Sequence, residues 1–192
     1  MRAIKWPLLS TLVGAARMYA NDSMRHTFDY PGWEQEANGD AKRKLRRIMH
    51  GRLFQLWLVE WCRINAVLFR YDTTPYFASD DGDLEIVGNK VDAKATTVGL
   101  LQVGAQLLRQ QGWFAFAELG ENLEWIAVDG FISCGDFFEQ AVFVKHNDKI
   151  PGTNFRQIYR EGSYFLLDTT KLAPFPEIVL TWTARVLTLS TG

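Results

Sequence analysis

The stretch Asp81-Gly-Asp-Leu-Glu-Ile-Val-Gly-Asn-Lys-Val-Asp-Ala-Lys94 constrains the fold more than any other part of the chain. It reads as two short strands joined by Gly88-Asn89, a dipeptide suited to a two-residue hairpin turn. With Val87 and Lys90 flanking that turn, Asp83 lies opposite Lys94 and Glu85 lies opposite Asp92. Strand side chains alternate between faces, so these four share one face. Leu84, Ile86, Val91 and Ala93 share the other and turn toward a core. Two carboxylates placed directly opposite each other repel. A bound cation relieves that repulsion, because hard divalent metals take carboxylate oxygens. Exposure to solvent relieves it as well.

The 192 residues suffice for one domain, 1–192, with an ample core. The net charge of −1 means that any contact with nucleic acid must come from a local basic patch. Seven Trp and thirteen Phe are enough large rings to fill much of the core. Cys62 and Cys134 are far apart and lack metal-like spacing, which fits a reduced, cytoplasmic protein better than a disulfide. Residues 1–16 carry a short positive region and a mildly apolar run, as a secretory leader does. Ser10, Thr11 and Gly14 interrupt that run, and no small-x-small site precedes Arg17, so an ordinary N-terminal helix is expected over 1–20. No stretch is long and apolar enough to span a membrane.

Asp40 is placed to cap a long helix running to about Asn65. Its later half, with Leu53, Phe54, Trp57, Leu58, Trp61 and Cys62, is apolar almost all round and reads as buried. A strand is expected over Ala66–Tyr71, then the acidic hairpin, then a helix over Val98–Gln111. Apolar strands follow at Trp113–Ala117 and Leu123–Ser133, the second interrupted by Asp129-Gly130. Gly135–Val144 suits either helix or strand. Lys145–Arg156 reads as a polar loop, Tyr164–Leu167 as a strand, and Ile178–Leu187 as a last apolar run. This order predicts an α/β fold with a mixed central sheet flanked by helices.

The pattern resembles the restriction-endonuclease-like nucleases of the PD-(D/E)XK superfamily. In that family one strand carries an Asp, and the neighbouring strand carries an acid, any residue, and Lys. Here Asp83 matches the first acid and Asp92-Ala93-Lys94 matches the second motif. The helix before the hairpin and the apolar strand after it extend the resemblance over about 40–133. Gly82 stands where the family has Pro, and Asp92 stands where Glu is commoner. Many members also carry a Glu on the preceding helix. Gly51-Arg-Leu-Phe-Gln55 places Gln near that position, and Glu60 is the alternative, ranked slightly above it because it falls on the apolar stripe.

The resemblance implies a metal held by Asp83, Asp92 and the Ala93 carbonyl, with Glu85 on the same face to ligate a second ion or to bind through water, Mg²⁺ being the natural ion and Mn²⁺ a substitute. Lys94 would lie beside the scissile phosphate. Gln106 matches the Gln that many relatives carry on the helix after the Lys, though a surface Gln explains it equally well. Lys42, Arg43, Lys44, Arg46 and Arg47 have the charge to grip DNA phosphates, and a solvated helix face has the same composition. Lys145, His146, Lys149, Arg156 and Arg160 form a second, more diffuse basic region.

The implied activity is metal-dependent DNA endonuclease, of restriction, phage or mobile-element type, acting by analogy as a homodimer. The alternatives are a structure-directed nuclease, such as a junction resolvase or exonuclease, and a nucleic-acid-binding protein of the same fold without cutting. Zinc, nucleophilic-hydrolase and phosphate-loop chemistries lack their spacings here.

Overall fold

Alternation is plainest in the strand that carries Asp92 and Lys94. Along Asn89–Thr96 the side chains of Val91 and Ala93 are buried, while Asp92 and Lys94 are part-exposed, the period of two that a pleated strand imposes. The structure is a computed structural model describing residues 4–27, 41–71, 84–108, 111–158 and 161–189. In chain order the elements are β1 (Lys5–Pro7), α1 (Ser10–Thr27), α2 (Ala41–Ile64), β2 (Phe69–Tyr71), β3 (Leu84–Ile86), β4 (Asn89–Thr96), β5 (Leu101–Gly104) and β6 (Trp113–Leu119). They continue with β7 (Trp125–Ser133), α3 (Cys134–Gln140), β8 (Val142–Val144), β9 (Ser163–Leu166) and α4 (Glu177–Leu189).

Six strands form a mixed sheet in the order β1-β7-β6-β4-β3-β2. β4 and β6 run parallel, and every other neighbouring pair is antiparallel. A second, three-stranded antiparallel sheet has the order β5-β9-β8. The expected α/β class with a mixed, helix-flanked sheet is therefore present.

The large sheet buries both faces. On one, Leu53, Phe54 and Leu58 of α2 pack with Val91, Ala93, Ala115 and Ala117 of β4 and β6. Trp182 of α4 closes the same core, edge-on to Trp113 and Phe131. The alanines keep this face shallow enough for the helix to approach closely: a Cβ at Gly51 would lie 3.8 Å from the Ala93 carbonyl oxygen. On the other face, Phe114, Phe116 and Ile132 pack with Phe137 of α3 and with Leu101, Val103 and Leu166 of the small sheet.

Three sequence expectations change. The hairpin turn is Val87-Gly88, not Gly88-Asn89; both residues have positive φ, 50° and 76°, the pair that a type I′ turn requires. Val87 is 7% exposed, and its N–H donates to Leu68 O at 2.9 Å. Burial and that bond hold a β-branched residue where φ > 0 is costly. Second, the described part of the expected Val98–Gln111 helix is not an α-helix. It forms β5 and a short 3-10 turn at Ala105–Leu107. Leu101 and Val103 are buried against the second core while Gln102 donates to Ser163 Oγ at 2.9 Å, so strand pairing overrides local helix preference. Third, the strand expected from Ala66 begins only at Phe69, because Ala66 is the left-handed residue that ends α2.

Other expectations are refined. Residues 134–144 hold both alternatives in succession, α3 and then β8. The last apolar run is α4, and the N-terminal segment forms a short strand before its helix. Asp129 is the extra residue of a bulge in β7. The Asp40 cap lies outside the described residues. Among the described residues, no helix is long and apolar enough to cross a membrane.

Candidate active site

The corrected turn changes who faces whom. Glu85 pairs with Lys90, not Asp92, and Leu84 pairs with Val91. The shift is two residues, so every side chain keeps its expected face. Asp92 consequently has no Glu85 across from it. Its described partner is Lys94, two positions along the same face: Lys94 Nζ lies 2.7 Å from Asp92 Oδ2, with side chains 31% and 17% exposed. Asp83 lies outside the described residues. Among those described, β4 beyond Val91 pairs with β6 alone.

Register with β6 builds the surroundings. Asp92 sits beside Phe114, Lys94 beside Phe116, and Thr96 beside Glu118. The ion pair thus borders the second apolar core and shares its side of the sheet. Cys134 lies close enough to feel both charges. Burial pushes its thiol up to about 11, with Asp92 adding to the rise and Lys94 opposing it. Asp129, beside Glu118, is raised from 3.8 to about 6, by burial first and by the Glu118 charge second. Sequence reasoning placed neither residue here. The Asp129-Gly130 break in an apolar strand was the available signal.

On α2, Gln55 lies nearer than Glu60 to the side that approaches β4. Gly51 faces the Ala93 carbonyl. Gln55 follows by four residues, about 40° around the helix, whereas Glu60 follows by nine, roughly 180° away. Gln55 is buried and its Oε1 accepts from Arg52 Nη1 at 3.3 Å. Glu60 instead pairs with Arg63 at 2.7 Å, and the Arg63 hydrogen bond holds its carboxyl below the usual range. Glu60, the other candidate for this position, thus lies away from the Ala93 carbonyl and is engaged by Arg63.

Arg52 was not anticipated. It is 8% exposed and lies between two rings, 4.0 Å from Tyr19 and 4.7 Å from Tyr71. Such stacking favours guanidinium over ammonium, and it ties α1, α2 and β2 together beside the hairpin. Its neighbour His50 is buried, and its pKa falls to about 4 through burial and the nearby Arg46 charge.

Arg46 and Arg47 are exposed on α2. Arg47 is four residues from Gly51, roughly 6 Å along the axis. Lys42, Arg43 and Lys44 belong to the same helix, with side chains outside the described set. Gln106 stands in the 3-10 turn and not on a helix, and its side chain is likewise undescribed. Among the described residues, no three His, Cys, Asp or Glu groups form a cluster suited to a metal. Asp92, Glu85 and the Ala93 carbonyl are the members of the expected set that are described, and Glu85 pairs across the hairpin with Lys90. No protein-family model matches the chain, and neither a curated protein nor a solved structure matches it.

Proposed function

We propose that this chain is a metal-dependent nuclease hydrolysing phosphodiester bonds in DNA, with its reacting groups on β4. The observation that carries this reading is the Asp92–Lys94 pair. A carboxylate and an ammonium share one face of a strand whose next sheet neighbour is parallel, and the helix across the sheet approaches at Gly51. Asp92 and the Ala93 carbonyl are hard oxygen donors on adjacent residues, a set that fits Mg²⁺ or Mn²⁺. Asp83 and Glu85 would supply the further carboxylates. A bound ion there would lower the pKa of a water and offset charge on the phosphate. Lys94 would bind a phosphate oxygen as negative charge develops, releasing Asp92 from their ion pair. Gln55 would hold Arg52 in place, and Arg46 and Arg47 would engage flanking phosphates. Gln106 stays a candidate contact. A twofold dimer would match the two strands of a duplex, in an intracellular setting of restriction, phage or mobile-element type.

The test is cleavage of supercoiled plasmid with Mg²⁺ and with EDTA, wild type beside Lys94→Ala and Asp92→Ala. Nicking or cutting in Mg²⁺ alone, lost in both variants, is the expected result. Metal-independent cleavage, or cleavage that survives both substitutions, overturns the proposal. DNA binding without cleavage would select the non-cutting alternative.

A further inference from the structure

Within the connection between β8 and β9, residues 147–157 form a second hairpin. Lys149 and Arg156 are bridged in antiparallel register. Asn147 N–H donates to Gln157 O at 2.8 Å, Gln157 N–H to Asp148 O at 2.9 Å, and Ile150 N–H to Phe155 O at 3.0 Å. Ile150 and Gln157 are buried, Ile150 against Val144 and Phe165, so the hairpin is anchored to the small sheet.

Its exposed side chains are unusual in two ways. The bridge sets two cations directly opposite each other, an unfavourable placement in water. Among the described residues neither Lys149 nor Arg156 has a carboxylate within ion-pair distance; Arg156 Nη1 instead donates to Asn147 O at 2.7 Å. Across Val142–Ile158 three cations stand against one carboxylate, in a chain of net charge −1. Phe155, next to Arg156 in sequence and across from Ile150, is 55% exposed. It has no ring partner among the described residues, although its N–H and its carbonyl are both hydrogen-bonded.

We infer that this hairpin is a single-stranded nucleic-acid-binding surface, with Lys149 and Arg156 on the backbone phosphates and Phe155 stacked on an unpaired base. Opposed cations gain from an anion that bridges them. An exposed aromatic ring on the same hairpin as those cations suits exposed bases, which a duplex keeps stacked internally. The small sheet packs on the Phe114 and Phe116 face, the face that also carries Asp92 and Lys94, so a strand bound here lies on their side of the large sheet. The inference extends the nuclease proposal by naming a substrate with a single-stranded portion, and its observations lie outside β3 and β4.

The experiment is fluorescence anisotropy of the full chain, in EDTA, with labelled oligo-dT, oligo-rU and a duplex of equal length. Wild type is expected to bind the single strands more tightly than the duplex. Lys149→Ala/Arg156→Ala should weaken that binding about tenfold at low salt and reduce the slope of log K against log salt by about 1.4. Phe155→Ala should weaken it about 5- to 150-fold while leaving duplex binding unchanged. Preference for duplex overturns the inference. So does binding of anionic phospholipid vesicles in place of oligonucleotide, or single-strand affinity unaltered in both variants. Because the readout is binding without metal, failure of the nuclease proposal in the plasmid assay is a separate result.

Discussion

Lys94 Nζ and Asp92 Oδ2 are 2.7 Å apart on one face of β4. The pair is partly solvated, so its own stabilisation is about 0–1 kcal/mol. A structural pair and a reacting pair therefore separate cleanly. Lys94→Met is expected to leave the melting temperature within about 3 °C of wild type and to reduce cleavage by about 100-fold or more. A large melting shift with unaltered cleavage would make the pair structural.

The helix contacts give a paired prediction. Gln55→Ala removes the described acceptor of a buried guanidinium, which is expected to cost about 1–3 kcal/mol and to lower cleavage through disorder at Arg52. Glu60→Ala breaks an exposed pair on the far side of α2 and should leave the cleavage rate unchanged. Thermal melts and plasmid assays on both variants check this. A Glu60→Ala variant that folds but does not cut would place Glu60 in the site.

How much was legible follows from these residues. The faces of the acidic hairpin were readable because alternation has period two, and the register error was also two. The register itself was not, because Val87 is a residue that left-handed turns seldom use, and its burial becomes visible only with Leu68 in place. The helix face was unreadable for a related reason: residues 53–64 are apolar on nearly every side, so no stripe separates Gln55 from Glu60. The β5 segment carries helix-forming Leu and Gln residues, and only β9, some sixty residues later, pulls it into a sheet.

Two titrations, at buried His50 and half-buried Asp129, run in opposite directions. His50 has its pKa lowered from 6.5 to about 4, so the unfolded chain binds its proton first. Stability from keeping His50 neutral is full above pH 6.5 and is lost as pH falls toward 4, by about 3 kcal/mol in total. Asp129 has its pKa raised from 3.8 to about 6, so the folded state binds its proton first, and its contribution grows as pH falls from 6 toward 3.8. Between pH 4 and 6 the two slopes oppose each other. Asp129→Asn is expected to steepen the acid loss, and His50→Gln to abolish or reverse it. Urea unfolding at pH 4.5, 5.5 and 7 measures both, and parallel pH profiles for the two variants would rule this account out.

Ala66 ends α2 with φ 52°, while Asn65 N–H and Val67 N–H donate back to Trp61 O and Cys62 O. This is a left-handed helix end normally occupied by Gly. Ala66 is exposed, so its methyl contributes little packing. Ala66→Gly is expected to stabilise the fold by about 0.5–1 kcal/mol, seen as a melting temperature higher by roughly 2–4 °C. A lower melting temperature would mean that unfolded-chain entropy outweighs the strain.

Gly112 lies where β6 begins alongside β4. Its φ is 106°, and a Cβ there would stand 2.6 Å from the Lys90 carbonyl oxygen. Its own carbonyl accepts the Cys134 N–H at 2.9 Å, fixing the start of α3. Neither backbone can yield without displacing the strand that carries Asp92 and Lys94. Gly112→Ala is expected to cost about 3 kcal/mol and roughly 6–12 °C in melting temperature. Gly88→Ala is the control. Its φ of 76° is also left-handed, but nothing lies within 4 Å of the added Cβ, so it should cost only about 1–2 kcal/mol. The difference between the two isolates the clash with Lys90 from the backbone preference, and equal losses would show that close packing of β6 on β4 contributes nothing of its own.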